Sequence, residues 1–166
     1  TRNLPKDMSR ELEEELTALG EQVSSELWQL SLEHRNEEPQ LVQWDAWGNR
    51  IDHIRVPEIW NRYGRLAAEE GLVARGYGSQ YGAHSRIDQF VRAYLVDRVT
   101  HTYNCPLAMT DGSAKILKDH APSELRDRAL PKLLSRDGDE MWTAGQWMTE
   151  RTGGSDVGIC ETIARQ

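Results

Sequence analysis

Residues 142–166 read WTAGQWMTERTGGSDVGICETIARQ, and the rest of the chain takes its meaning from what this stretch is built to hold. Trp142, Thr143 and the run from Gln146 to Thr149 are β-favouring, and ICETIARQ alternates apolar and polar residues as a half-buried strand does. Between them lie Gly153, Gly154, Ser155 and Asp156, so the pattern predicts two strands joined by a tight loop. Glycines there would let the backbone approach a ligand closely, and successive N–H groups can form a concavity for an anion. Ser155 adds a hydroxyl suited to a phosphate oxygen. Alternation would put Trp147 and Thr149 on one side of the first strand and Gln146 and Met148 on the other. A flat ring could then lie along the strand while its phosphate tail reached the loop. The residues alone leave two readings open, a phosphate-binding loop and a simple tight β-turn.

Upstream the period is helical. Leu12, Leu16, Leu19, Val23, Leu27 and Leu30 recur at steps of three and four, which predicts one helix from about Asp7 to His34 with Glu11, Glu13, Glu14 and Glu15 near its positive end. Pro39 then breaks the chain. The spacing of Trp44, Trp47, Ile51 and Ile54 predicts a second helix, and Pro57 opens a third whose inward stripe is Ile59, Trp60, Tyr63, Leu66 and Ala67, stopped by Gly71. GYGSQYG, Gly76–Gly82, reads as a flexible connector; its glycines do not have dinucleotide-fingerprint spacing. A helix is expected over Ser85–Arg98, carrying Ile87, Phe90, Val91, Tyr94 and Leu95 as its apolar residues. Further helices are expected after Pro106 and over Ser123–Leu134, the latter broken or redirected by Pro131. The fold class is therefore mainly α: an N-terminal helical domain over 1–139, then the first strands of a β domain over 140–166.

The whole chain of 166 residues can bury a core of its own. It has 38% hydrophobic and 28% charged residues, and no run of about 18 apolar residues that would span a membrane. TRNLPKDMSRELEEEL has no apolar signal region, and the natural start and end are both expected to lie outside the sequence. The net charge is −7, and residues 1–40 carry ten acidic and four basic side chains, which reads as a solvated acidic face and makes nucleic acid an unlikely partner for this segment. Cys105 and Cys160 are too few for a disulfide framework and read as packed thiols in a reducing compartment.

Several chemistries find no support. None of His34, His53, His84, His101 or His120 follows a glutamate by three residues, so a di-iron bundle site is not indicated, and no zinc spacing or Walker-type loop occurs. Ser155 beside Asp156 is no hydrolytic triad, because the G-x-S-x-G elbow is missing.

MTERTGGSDVG, Met148–Gly158, resembles the signature of the acyl-CoA dehydrogenase family, in which an apolar residue, a hydroxyl residue and Glu lead to Gly, Ser and Asp at fixed spacing. DAWGNRID and AAEEGLVARGYG resemble early helices of that family's AidB-like and fungal branches, and CPLAMTDGSAK is similar to its P-L-A-M-T-D-G helix. The resemblance implies the N-terminal portion of an enzyme with a helical domain, a middle β domain and a C-terminal helical bundle. It implies FAD as cofactor, an acyl-CoA substrate, an unidentified electron acceptor and a homodimer or homotetramer at full length.

In the reaction so implied, a carboxylate takes the α proton of the thioester while the β hydrogen leaves as hydride to flavin N5. Gln146, Trp147, Met148 and Thr149 would run along the flavin ring, with the Thr149 hydroxyl near N5. Gly153, Gly154 and Ser155 would meet the pyrophosphate, and Ser155 would also touch the CoA part of the substrate. No catalytic base or metal ligand is expected in this chain; the resemblance places the base in the C-terminal region. Glu150 then reads as a structural carboxylate and Asp156 as an Asx-type loop stabiliser. Trp147 stands where most members carry a small residue, and Ile159 where the residue is often small, so a bulky indole there would stack, narrow the acyl pocket or face the other way. Beside the dehydrogenase stand two other readings: a non-catalytic AidB-type binding scaffold linked to stress or nucleic acid, and a helical interaction domain whose GGSD loop is only a turn.

Overall fold

The computed structural model describes residues 5–100 and 103–165. A helical rod opens the chain: α1 (Lys6–Gln22) passes through a π-helical turn, Val23–Leu27, into α2 (Trp28–Glu33). It is the single long helix that the leucine spacing predicts, with one widened turn. Ser24 and Ser25 both donate to the Glu21 carbonyl, at 3.2 and 2.6 Å, so side chains compete for an acceptor that a regular α-turn would give to a backbone N–H. Leu12, Leu19 and Leu27 are buried along its inner face.

The helix expected over Trp44–Ile54 is instead a hairpin, β1 (Gln40–Trp44) against β2 (Arg50–Arg55), antiparallel with Leu41 opposite Ile54 and Val42 opposite His53. Its turn explains the difference. Asp45 Oδ1 accepts the N–H groups of Trp47 and Asn49, both at 2.9 Å, and its Oδ2 accepts from Asn49 Nδ2 at 2.8 Å. Gly48 supplies the left-handed step with φ of 84°. The hydrogen bond from Asn49, above all, holds the Asp45 carboxyl below the usual carboxylate range. Trp47 at the tip is 85% exposed.

Helix α3 (Glu58–Glu69) matches its expected stripe: Ile59, Tyr63, Leu66 and Ala67 are buried, and Trp60 packs edge-on against Tyr103 with centroids 4.7 Å apart. Each fully buried aliphatic there contributes about 1.5–3 kcal/mol. Gly71 ends the helix with φ of 65°; its N–H meets the Ala68 carbonyl at 2.8 Å and the Leu72 N–H meets that of Ala67 at 2.8 Å, a paired Schellman stop.

Helix α4 (Ser85–Asp97) departs in part from expectation: Leu95 packs on the core and Val91 is half-buried, but the rest of the apolar set turns outward. Ile87, Phe90 and Tyr94 are exposed, while Asp88, Gln89, Arg92 and Val96 are buried. Arg92 is encircled by carboxylates, with Asp88 at 2.8 Å, Glu70 at 2.7 Å and Glu15 in contact; Arg75 pairs with Asp88 at 3.0 Å and Glu15 at 3.1 Å. This network joins α1, the residue that caps α3, and α4, so the acidic first helix is not wholly a solvated face. The connector before α4 is packed too: a Cβ on Gly76 would lie 2.2 Å from Gln89 Oε1.

Helices α5 (Asn104–His120) and α6 (Ser123–Leu133) complete the helical part. Helix α5 starts two residues before Pro106, and α6 runs through Pro131 rather than breaking there. The core cluster gathers Leu19, Leu27, Ile59, Tyr63, Leu66, Val73, Val96, Val99, Tyr103 and Leu107. Both cysteines are exposed rather than packed. Among the described residues no helix is long and apolar enough to cross a membrane.

Candidate functional site

Helix α5 provides the platform for the C-terminal segment. Leu107, Thr110 and Ala114 recur at steps of three and four and are all buried. On the neighbouring face, Asp111 accepts from Arg86 Nη1 at 2.7 Å, and its carbonyl accepts from the Tyr77 hydroxyl at 2.7 Å. Burial pushes the Tyr77 phenol up to about 12. The helix is thereby fixed in rotation, with Met109 and Thr110 turned to the segment after α6.

That segment is hung from three acceptors. Trp142 N–H donates to the Lys132 carbonyl at 3.0 Å, Ala144 N–H to Thr110 Oγ1 at 3.0 Å and Gln146 N–H to Met109 Sδ at 3.2 Å. Thr110 Oγ1 itself donates to the Pro106 carbonyl at 2.7 Å, so one buried hydroxyl serves helix and segment together. Sequence reasoning missed Met109 and Thr110; a hydroxyl on the apolar stripe of α5 is the signal that could have found them.

Residues 142–149 and 160–165 carry no strand pairing, in contrast to the strands expected there. A strand needs a neighbour to share its N–H and C=O groups, and the described residues supply none for these. The loop between them is nevertheless tightly built. Glu150 N–H donates to the Gly153 carbonyl at 2.9 Å and Gly153 N–H returns to the Glu150 carbonyl at 3.3 Å. Asp156 Oδ1 accepts from Gly158 N–H at 3.1 Å, the Asx-type bond expected of it, ahead of a short 3-10 turn over Val157–Ile159. Across the loop, Glu150 accepts Glu161 N–H at 2.7 Å and Thr162 N–H at 3.2 Å, as a structural carboxylate does. The Thr162 side chain first, and then the N–H groups of Glu161 and Thr162, hold its carboxyl below the usual glutamate range.

The two glycines differ in kind. A Cβ on Gly153 would sit 2.6 Å from both the Asp156 carbonyl and Ile159 Cγ1, whereas a Cβ on Gly154 would meet only Thr149 Cγ2, at 3.7 Å. Gly153 is thus used up by the loop itself, and Gly154 stands open beside Thr149. The turn therefore brings the Thr149 side chain next to Gly154. Among the described residues no partner within the chain meets the N–H groups of Trp147, Gly154 or Ser155, or the hydroxyls of Thr149 and Ser155. Trp147 is 94% exposed and Met148 42%. Free N–H and hydroxyl donors beside an open apolar edge suit a flat heteroaromatic ring carrying an anionic tail.

The family described as the adaptive response protein AidB N-terminal domain matches residues 3–140. The chain belongs to that family. It is 36% identical to acyl-CoA dehydrogenase family member 11 of Caenorhabditis elegans over 99% of this chain, and 28% identical to the putative acyl-CoA dehydrogenase AidB of Escherichia coli (strain K12) over 86% of it. It spans 28% of the length of each of these relatives. Among solved structures, the apo-form of Bd2924 superposes with a TM-score of 0.86 at 45% identity, covering 93% of this chain and 31% of that one. C. elegans ACDH-11 in complex with C11-CoA gives a TM-score of 0.85 at 36% identity, covering 94% and 27%. This AidB N-terminal chain thus shares its mainly helical fold with acyl-CoA dehydrogenase relatives.

Proposed function

We propose that the chain is the N-terminal part of an FAD-dependent acyl-CoA dehydrogenase, with residues 1–139 as its helical domain and 140–166 as the start of a middle β domain that carries one wall of the flavin site. The juxtaposition of Thr149 with the open Gly154 and the unpaired Ser155 carries this reading. Gln146, Trp147, Met148 and Thr149 would line the ring, and Gly153, Gly154 and Ser155 the pyrophosphate, with Ser155 also within reach of the CoA moiety. Bound FAD would supply the hydride acceptor for oxidation of the α,β carbon–carbon bond of an acyl-CoA thioester. The residues of this chain bind and orient; Glu150, with both oxygens occupied by backbone donors, is not placed to take a proton. The C11-CoA held by the C. elegans neighbour supports an acyl-CoA substrate.

A polypeptide carrying this segment at the length of its relatives should purify with the visible absorbance of bound flavin, bleach on mixing with an acyl-CoA and assemble as a dimer or tetramer. A well-folded protein of that length that neither retains nor takes up added FAD would overturn the reading. The segment alone should hold FAD weakly, because Trp147 and Met148 stand exposed with nothing opposite them.

The match to the AidB family favours a second reading, a dehydrogenase-like scaffold without turnover, serving in a stress or nucleic-acid context. Gel-shift titration of the complete protein beside its reductive half-reaction separates the two: a shifted nucleic acid with an unbleached flavin supports the scaffold.

A further inference from the structure

Glu150 occupies a position in the loop that the proposed cofactor contacts do not use. Its backbone closes the turn ahead of Gly154, through the reciprocal bonds with Gly153 at 2.9 and 3.3 Å. Its side chain reaches over the loop to two consecutive N–H groups, Glu161 at 2.7 Å and Thr162 at 3.2 Å, eleven and twelve residues away. One residue therefore fixes both ends of the segment that presents Gly154, Ser155 and Asp156. Two further bonds tie the same ends together: a long one from Thr152 Oγ1 to the Ile159 carbonyl, and one from the Cys160 thiol to the Met148 carbonyl, both 3.4 Å. The first is weak by its length and the second by its thiol donor, whereas a carboxylate accepting from backbone N–H is charge-assisted and roughly twice as strong as a neutral pair.

We infer that Glu150 is a positioning residue for the anion-binding loop: its carboxylate, spanning from the turn at Gly153 to the N–H groups of Glu161 and Thr162, holds the free donors of Gly154 and Ser155 at the spacing that the dinucleotide pyrophosphate requires. The inference rests on the proposed FAD site and adds to it a residue that touches neither ring nor phosphate. An alanine at 150 keeps the backbone turn but frees residues 161 and 162. A glutamine offers one acceptor oxygen and turns an NH2 group toward the second N–H, so it restores part of the lock. An aspartate, one methylene shorter, cannot reach across.

The test uses the polypeptide at its relatives' length, with Glu150→Ala, Glu150→Gln and Glu150→Asp compared with the unaltered protein. FAD affinity is read by flavin fluorescence, and amide hydrogen exchange is followed over residues 153–162. The expected result is a loss of FAD affinity of tenfold or more in Glu150→Ala and Glu150→Asp, partial recovery in Glu150→Gln, and faster exchange at 161 and 162 with helical exchange unchanged. Equal affinity and equal exchange in Glu150→Ala and the unaltered protein would overturn the inference while leaving the FAD reading intact. Faster exchange at 161 and 162 in a protein that binds no FAD even when unaltered would keep the lock but remove the ligand assigned to it.

Discussion

Arg92 Nε donates to Asp88 Oδ1 at 2.8 Å one helical turn away, and both side chains are 1% exposed. Arg92 also reaches Glu70 and Glu15, so the centre of the helical domain is ionic on one side and apolar on the other. Breaking one partner of a buried pair leaves the others desolvated, at a cost of about 3–5 kcal/mol. Arg92→Ala should lower stability by that amount in chemical denaturation. The double change Arg92→Met with Asp88→Leu should cost less than the sum of its single changes.

Thr110 gives a smaller and more local effect. Thr110→Val keeps the shape of the side chain but removes the acceptor for Ala144 N–H and the donor to the Pro106 carbonyl. A loss of about 1 kcal/mol is expected, or up to about 3 with the Ala144 N–H left unsatisfied. Exchange at Ala144 should quicken by more than at any residue of α3.

The paired glycines offer a contrast within one loop. Gly153→Ala should rearrange the loop even without ligand, because a Cβ would lie 2.6 Å from the Asp156 carbonyl and Ile159 Cγ1. Gly154→Ala meets only Thr149 Cγ2 at 3.7 Å and should leave the free loop unchanged, which amide shifts of residues 156–160 would register. On the proposed reading it should still weaken FAD binding, since the methyl group fills the approach to the N–H.

Tyr77 sets an alkaline limit. Its phenol is pushed up to about 12 by burial, above the unfolded value of about 10. The folded state therefore favours the neutral form: this contribution is complete below about pH 10 and falls away as pH rises toward the folded value. Tyr77→Phe should flatten the stability profile between those limits, at the expense of the hydrogen bond to Asp111.

The stripe of α3 and its glycine stop were legible because apolar burial and a left-handed cap each have a local sequence signature, and Ile59, Tyr63, Leu66 and Gly71 carry them plainly. The buried face of α4 was not legible for the converse reason. Its charged face is buried only because Glu15, Glu70 and Arg75 arrive from other elements, and no window around Asp88 contains that information. In the hairpin, Trp44, Trp47, Ile51 and Ile54 have helical spacing by straddling a turn, and the Asp45–Gly48–Asn49 chemistry should have outweighed it. At the candidate site the loop glycines and Asp156 were readable as loop formers. Thr110 was not, because its partner Ala144 lies 34 residues further on.

The same contrast has a kinetic side. The Asp45 turn closes with every bond inside five residues, whereas Arg92 must find Glu15 across 77 positions of chain. Short loops close in well under a microsecond, and distant contacts pay a larger closure entropy before they give anything back. The hairpin can therefore nucleate as soon as its own residues are free, while the first helix must wait for the fourth before it is locked in place.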